Sequence, residues 1–323
     1  MMRVLQLCNV GRITGGTAAC AWSVTRALPD CEHTILFRSR VCDETRQAFE
    51  GHDLGECKRL TVQELRRRKA DVVILHNTPP SAVGWKCASE LAGILSMQYV
   101  HSAGGSRAEA GVVVGCSHFL QSQLQRHDMG VLYQGVPVPE KSHLRREARS
   151  GMFVIGRICT PIPAKWPQEL PQFYKRLADR FPECYWEFVG CPESLRVELD
   201  KACVGRCDFY PAGFEQRTRY HHWDVMLYHN PNITESFGRT VAEAMRCEVV
   251  PVVDCRGGFC EQIPQGTGFL CTRNDDFGKA LEELLDRRIL EKRSLACQEH
   301  ADNEFSLRRF RARLLDSLEN AGL

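Results

Sequence analysis

Long hydrophobic runs are missing from this chain: nothing in its 323 residues approaches the ~20 consecutive apolar positions that a membrane-crossing helix requires. The stretch Met1–Val10 has neither a charged leader nor a cleavage site, so a cytoplasmic protein is expected. A strong charge of one sign is also missing. The formal net charge is +2, which gives a dedicated nucleic-acid binder little footing. Divided at Ser150, the first part carries an excess of positive charge and the second a smaller excess of negative charge; a solvated face and a polyanionic partner would both account for it. Metal signatures are lacking too. The 17 cysteines include no Cys-x-x-Cys pair, Cys203 and Cys207 have no second ligand pair at finger-like spacing, and no Asp-x-Asp follows a strand-like run. No metal is therefore expected, and the scattered, odd-numbered cysteines of an unexported chain read as reduced thiols packed like small hydrophobes.

What is present is a rhythm. Short β-branched runs alternate with amphipathic stretches from end to end, the pattern of βα units and parallel sheets. Candidate strands in the first half are Val4–Cys8, Thr34–Phe37, Val72–Leu75, Leu95–Val100 and Val112–Gly115, with helices at Ala18–Leu28, Val62–Arg68 and Ser117–Arg126, the last capped by Ser117. Gly135–Ser150, with Pro137, Pro139 and the charged run Lys141–Arg149, breaks both periodicities and reads as a linker. A second series follows: strands at Met152–Gly156, Trp186–Val189, Asp208–Tyr210, Val225–Tyr228 and Val249–Val253, and helices at Leu170–Arg180, Glu193–Cys203, Gly238–Arg246 and Phe277–Leu285. Ser306–Leu318 is a basic amphipathic helix offering Phe305, Phe310, Leu314 and Leu315 to one face. The expected fold is α/β, two doubly wound Rossmann-like domains facing a central cleft: residues 1–147, residues 148–305, and a C-terminal helix 306–323 packing back on the first domain. Ligands of such sheets gather outside the carboxyl ends of the strands.

The most informative such end is Asn232–Met245, which follows the apolar run Val225–Tyr228 and opens a helix near Gly238. The amides of Ser236 to Arg239 at that helix start, with the positive end of the dipole, suit a phosphate or a sugar oxygen. Glu235 and Glu243 stand eight positions apart, and a carboxylate accepts hydrogen bonds from vicinal hydroxyls. A dipole-favoured charge at Glu235 and a surface helix residue at Glu243 are the competing readings. One βα unit later, Gly257-Gly258 precedes another helix and lets the backbone approach a ligand closely, although many such pairs only reverse the chain.

The run Glu235-Ser-Phe-Gly-Arg-Thr-Val-Ala-Glu-Ala-Met245, followed by Val250-Pro-Val-Val253, Gly257-Gly258, Glu261 and Gly266-Thr-Gly-Phe-Leu270, closely resembles the donor-site signature of retaining GT-B glycosyltransferases, the glycosyl transferases of group 1. The resemblance implies that Glu235 lies near the transferred sugar and Glu243 holds the ribose hydroxyls. Ser236, Phe237 and Gly238 would then line the donor, with the amides of Phe237 and Gly238 on the sugar or diphosphate. Arg157 and Lys165 resemble the family's diphosphate-binding pair, with a longer, proline-bearing spacer between them. Chemically such a pair stabilises the charge left on a departing diphosphate without a metal, although a solvated loop pair would look the same in sequence. Gly15 and Gly16 stand where the family has a glycine-rich loop beneath the donor phosphates. His101 takes the place of a histidine near the reacting sugar; His76 is a second candidate, and either could be structural. Val112–Leu120 and Gln134-Gly-Val-Pro137 resemble the family's last strand and linker. One departure is Glu248, where the family commonly has glycine.

The expected activity is transfer of a hexose-type sugar, with retention, from a UDP-, GDP- or ADP-sugar to an unidentified acceptor, with no cofactor required. A nucleotide-sugar epimerase or hydrolase on the same fold, a glycosyltransferase acting on DNA or another polyanion, and an inactive nucleotide-sugar-binding protein remain alternatives. A peripheral membrane contact through the basic first half and the tail stays open.

Overall fold

The computed structural model describes residues 1–78, 93–105, 111–140, 151–320 and 322. The chain forms two units, Met1–Val136 with Glu304–Leu323, and Pro137–Asn303 between them. The charged run Lys141–Arg149 and the expected boundary at 147/148 lie outside the described residues.

In the first unit β1 (Arg3–Cys8), β2 (Glu32–Phe37), β3 (Asp53–Glu56), β4 (Val72–His76), β5 (Leu95–Val100), β6 (Val112–Gly115) and β7 (Gly130–Val131) form one sheet in the order β3-β2-β1-β4-β5-β6-β7. Every pairing is parallel. β4 is buried throughout and β1 all but its first residue, as strands covered by helices on both faces must be. The second unit repeats the design with β8 (Phe153–Ile158), β9 (Cys184–Val189), β10 (Cys207–Tyr210), β11 (Val225–Tyr228), β12 (Val250–Asp254) and β13 (Phe269–Cys271) in the order β10-β9-β8-β11-β12-β13. In both sheets the order reverses beside the first strand, between β1 and β4 and between β8 and β11. These are the switch points at which sheets of this kind open toward ligands.

Three strands and one long helix were not expected. β3 is the half-exposed edge segment Asp-Leu-Gly-Glu, β7 has two residues and β13 three, so none offers an apolar run long enough to read. The helix Arg287–Phe305 is mostly polar in sequence. One boundary changes chemistry. β8 continues past Gly156 to Ile158, paired with β9 through Ile158 and Val189, so Arg157 lies within the strand instead of after it. Gly156 is required there, because a Cβ would run into the Trp223 ring.

Glu248 adopts φ 64°, the left-handed region that glycine favours. The turn therefore keeps a glycine-type backbone. Ser294 Oγ donates to the Glu248 carbonyl, and Gln298 donates to its side chain at 3.2 Å.

The tail helix spans Leu307–Glu319, with Ser306 Oγ accepting the Arg309 amide at 3.2 Å. It buries Phe310, Leu314 and Leu318 within the first unit, while Leu315 is only half-buried. Arg311 donates to the Ala27 carbonyl at 3.1 Å, and Phe310 lies so close to Gly135 that a Cβ there would come within 2.6 Å of it. The apolar face of the tail is thus covered by its own unit. Among the described residues no helix is long and apolar enough to cross a membrane.

Candidate functional site

At the switch point of the second sheet, β8 supplies Arg157, which is 1% exposed. Its guanidinium lies 5.0 Å from the Trp166 ring centre and 4.7 Å from that of Tyr228. It donates to the carbonyls of His229 at 3.1 Å and Lys165 at 2.8 Å. The sequence suggested an arginine displayed at a strand end. The fold draws it inside, because two rings and two carbonyls together replace the water a guanidinium would otherwise keep.

Arg157 thereby fixes the backbone of Lys165, which closes the short turn Pro163–Lys165. The Lys165 Nζ lies 2.7 Å from Oε1 of Glu235, with the two side chains 27% and 19% exposed. Tyr228, the last residue of β11, donates its hydroxyl to the same oxygen at 2.8 Å. Burial disfavours the Lys165 ammonium, but the attraction of Glu235 outweighs it and its pKa is raised. Burial, then Cys159 and Glu235, push the Tyr228 phenol well up, so it stays neutral and donates. The side chains the sequence singled out as Arg157, Lys165 and Glu235 are brought into one network.

The loop that carries Glu235 is pinned by residues the sequence did not flag. Asp254, at the end of β12, accepts the Asn230 amide at 2.6 Å and bonds His229 Nδ1 at 2.8 Å. Buried Asn230 accepts the amides of Asn232 and Ile233 at 2.9 and 3.0 Å and donates to the Ala164 carbonyl at 2.9 Å, tying this loop to the Lys165 turn. Gly258 donates its amide to the Glu235 carbonyl at 2.9 Å. A Cβ on Gly257 would come within 2.5 Å of that carbonyl oxygen, and one on Gly258 within 2.5 Å of the Ser236 oxygen. What the Gly-Gly pair admits closely is thus the chain's own backbone at 235–237.

Phe237 and Gly238 are buried and Ser236 half-buried at the start of the helix Arg239–Arg246. Gly238 has φ 86° and faces the Phe259 ring, so it has two reasons to be glycine. Glu243 is not a surface residue; it is 1% exposed. Its Oε1 accepts Arg217 Nε at 2.9 Å and Arg239 Nε at 2.7 Å, and its Oε2 accepts the Tyr220 hydroxyl at 3.3 Å. Burial would raise its pKa, but the two guanidiniums more than offset that and lower it. Arg239 was legible as the i−4 partner on the helix. Arg217 comes from the 3-10 segment Glu215–His222 and was not.

The first unit holds Gly15, Gly16 and both histidines. Gly15 caps the helix Gly16–Ala27 in an extended conformation, and a Cβ on Gly16 would meet nothing within 4 Å. The protein's own packing does not require glycine at 16. His76 ends β4 and His101 follows β5. His76 Nε2 bonds Gln6 Oε1 at 2.8 Å, His76 Nδ1 bonds His101 Nε2 at 3.1 Å, and His101 Nδ1 bonds Gln134 Nε2 at 2.9 Å. Because an amide oxygen only accepts and an amide nitrogen only donates, the protons are assigned in one direction: Gln134 to His101, His101 to His76, His76 to Gln6. Burial lowers the His76 pKa to about 3, in keeping with a neutral ring.

Cys20, His76 and His101 bring a sulfur and two nitrogens within 4.8 Å of one another. The two rings lie nearly parallel with centroids 5.4 Å apart, which exceeds the 3.1 Å between the nitrogens by about two ring radii. The nitrogens therefore face each other head-on in a hydrogen bond, whereas zinc ligands would converge on a point ~2.0 Å from each.

Residues 205–302, which include Glu235, Glu243, Asp254 and both glycines of the turn, match the family model described as Glycosyl transferases group 1. No curated protein matches the chain in sequence. Among solved structures, the chain is similar to Anabaena HepE in complex with UDP and glucose, at 18% identity and a TM-score of 0.80, covering 99% of this chain and 100% of that one. It is similar to a glycosyltransferase from Rickettsia africae ESF-5 at 15% identity and a TM-score of 0.79, covering 99% and 98%. Sucrose-phosphate synthase from Thermosynechococcus elongatus follows at 13% identity and a TM-score of 0.70, covering 99% of each chain. The shared two-sheet fold is GT-B, and with the match over 205–302 it supports a glycosyltransferase of group 1.

Proposed function

We propose that the chain is a retaining glycosyltransferase that moves a hexose-type sugar from a nucleotide-sugar donor to an acceptor, with no metal required. The observation that carries this is the Lys165–Glu235 pair, 2.7 Å apart at the switch point of the second sheet. HepE is described with UDP, glucose and UDP-glucose, which makes UDP-glucose the first donor to try.

Cleaving the sugar–phosphate bond leaves negative charge on the diphosphate. Lys165 is the cation offered to it, with Arg157 buried behind as a second positive charge and as the anchor of the Lys165 carbonyl. The donor exchanges partners with the resting ion pair: its phosphates take Lys165, and its sugar hydroxyls take Glu235. The amides of Phe237 and Gly238, beside Ser236, meet the sugar or the diphosphate. Glu243 offers the ribose its Oε2, which accepts a long bond from Tyr220, while Arg217 and Arg239 keep the carboxylate charged. The departing phosphate oxygen takes the acceptor proton, so the new bond forms on the face the phosphate leaves. In the first unit, Gly15 and Gly16 are assigned to the donor phosphates; His101, whose ring nitrogens are both engaged by Gln134 and His76, meets the reacting sugar by giving up one of those partners.

UDP-glucose calorimetry on the wild type and Lys165→Ala, followed by NMR of the glucoside formed with an acceptor panel in chelator, tests the proposal. Expected are weaker donor binding in the variant and a product with the donor's anomeric configuration. An inverted product, or loss of activity in chelator restored by a divalent ion, overturns the mechanism.

A further inference from the structure

Among the described cysteines, all free thiols, only Cys255 and Cys260 are exposed, and they face each other. Their sulfurs are 3.8 Å apart across the turn Cys255-Arg-Gly-Gly-Phe-Cys260. Gly257, at φ 61°, folds the turn, and the Cys260 amide donates to the Gly257 carbonyl at 3.2 Å. We propose that Cys255 and Cys260 form a dithiol site that takes a low-molecular-weight disulfide and closes to an intramolecular disulfide, altering the backbone that carries Glu235.

The chemistry balances. The Cys255 thiolate attacks one sulfur of the small disulfide, forming a mixed disulfide and releasing one thiolate. The Cys260 thiolate then attacks the Cys255 sulfur and releases the second. Two protein thiols are oxidised, one small disulfide is reduced to two thiols, and the two protons lost by the cysteines end on them. Burial and the hydrogen bond to Cys255 raise the Cys260 thiol to about 11, so exchange quickens as pH rises toward that value.

Closure must shorten the sulfur separation to ~2.05 Å. The turn has little slack on its other side. Gly258 bonds the Glu235 carbonyl at 2.9 Å, and the two glycines touch the 235–237 backbone so closely that neither has room for a methyl group. Gln262, just beyond Cys260, donates to the Phe237 carbonyl. Movement of the turn is therefore passed to the segment holding Glu235, Ser236 and Phe237.

The test treats the whole chain with oxidised glutathione and then digests it with trypsin, which cuts after Arg256, between the two cysteines. The expected result is a loss of two titratable thiols and a disulfide joining the peptide that ends in Arg256 to the one that begins at Gly257, both reversed by dithiothreitol. A stable glutathione adduct on either sulfur without the cross-link, or no reaction, overturns the site. Hydrogen exchange reads the coupling: amide exchange across 232–238 should change several-fold on oxidation of the wild type and stay unchanged in Cys255→Ser and Cys260→Ser. Equal exchange in oxidised and reduced wild type overturns the coupling. Neither readout requires donor binding or turnover, so it is separate from the proposed activity.

Discussion

Lys165 and Glu235 share one contact, Nζ to Oε1 at 2.7 Å, and the same oxygen receives the Tyr228 hydroxyl at 2.8 Å. Glu235→Gln keeps the shape but removes the charge that offsets burial of the ammonium. Turnover at low donor concentration should fall ~10- to 100-fold, a hydrogen bond between the carboxylate and the sugar hydroxyls being worth ~1.5–3 kcal/mol. In Lys165→Ala the affinity for UDP should fall about 10- to 100-fold, a charge-assisted hydrogen bond being worth ~1.5–3 kcal/mol. Calorimetry with UDP and single-turnover assays check both; unchanged UDP affinity would remove Lys165 from the site.

Glu243 pairs with two guanidiniums that are themselves largely buried. Glu243→Ala should therefore destabilise the second unit by ~3–5 kcal/mol, the cost of leaving buried charge without its partner. Urea unfolding of the variant checks this. Because the folded pKa is lowered, the carboxylate's contribution is complete above its ordinary pKa of ~4.3 and is lost as pH falls through the depressed folded value. Unfolding midpoints that decline below about pH 4 in the wild type, with a shallower decline in Glu243→Gln, are expected.

His76 has the same dependence from the opposite chemistry. Its folded pKa is held at about 3 by burial, while an unfolded imidazole titrates near ~6.5. The unfolded chain takes up a proton that the folded one refuses. Stability of the first unit is thus unaffected by this group above pH ~6.5 and falls as pH drops from there toward 3. Melting temperature against pH should show that slope, and His76→Gln should flatten it.

Two glycines should behave in opposite ways. Gly16→Ala meets open space and should leave the melting temperature unchanged or slightly raised, helix propensity favouring alanine by up to ~1 kcal/mol. It should nevertheless weaken UDP-glucose binding if a phosphate rests on that loop. Gly257→Ala combines φ 61° with an approach of 2.5 Å to the Glu235 oxygen and should lower both stability and donor affinity. Calorimetry paired with thermal melts separates the two; equal behaviour would discard the distinction.

What the sequence disclosed and what it hid divide along sequence distance. Val4–Cys8 and Val225–Tyr228 announce themselves because a strand buried on both faces must be apolar throughout. Asp53–Glu56 does not, since an edge strand needs no such run. The Glu235 segment stood out by its order and spacing, and Lys165 was placed with Arg157. That Arg157 is interior depends on Trp166 and Tyr228, and the state of Glu243 depends on Arg217, 26 positions away. Such contacts exist only after the chain has folded. Glu248 is the converse case: it breaks the expected glycine pattern, yet the backbone there remains left-handed.

The first unit is made of two separated pieces, residues 1–136 and 304–323, closed by the tail helix over Gly135 and Ala27. In a chain made only as far as residue 303, every residue of the second unit is present while the first still lacks its last helix. The helix Gly16–Ala27, on which the tail packs, keeps part of its surface uncovered until residues 304–323 are added. A chain that ends at residue 303 and is free of the ribosome should therefore present a folded second unit beside an unfinished first one.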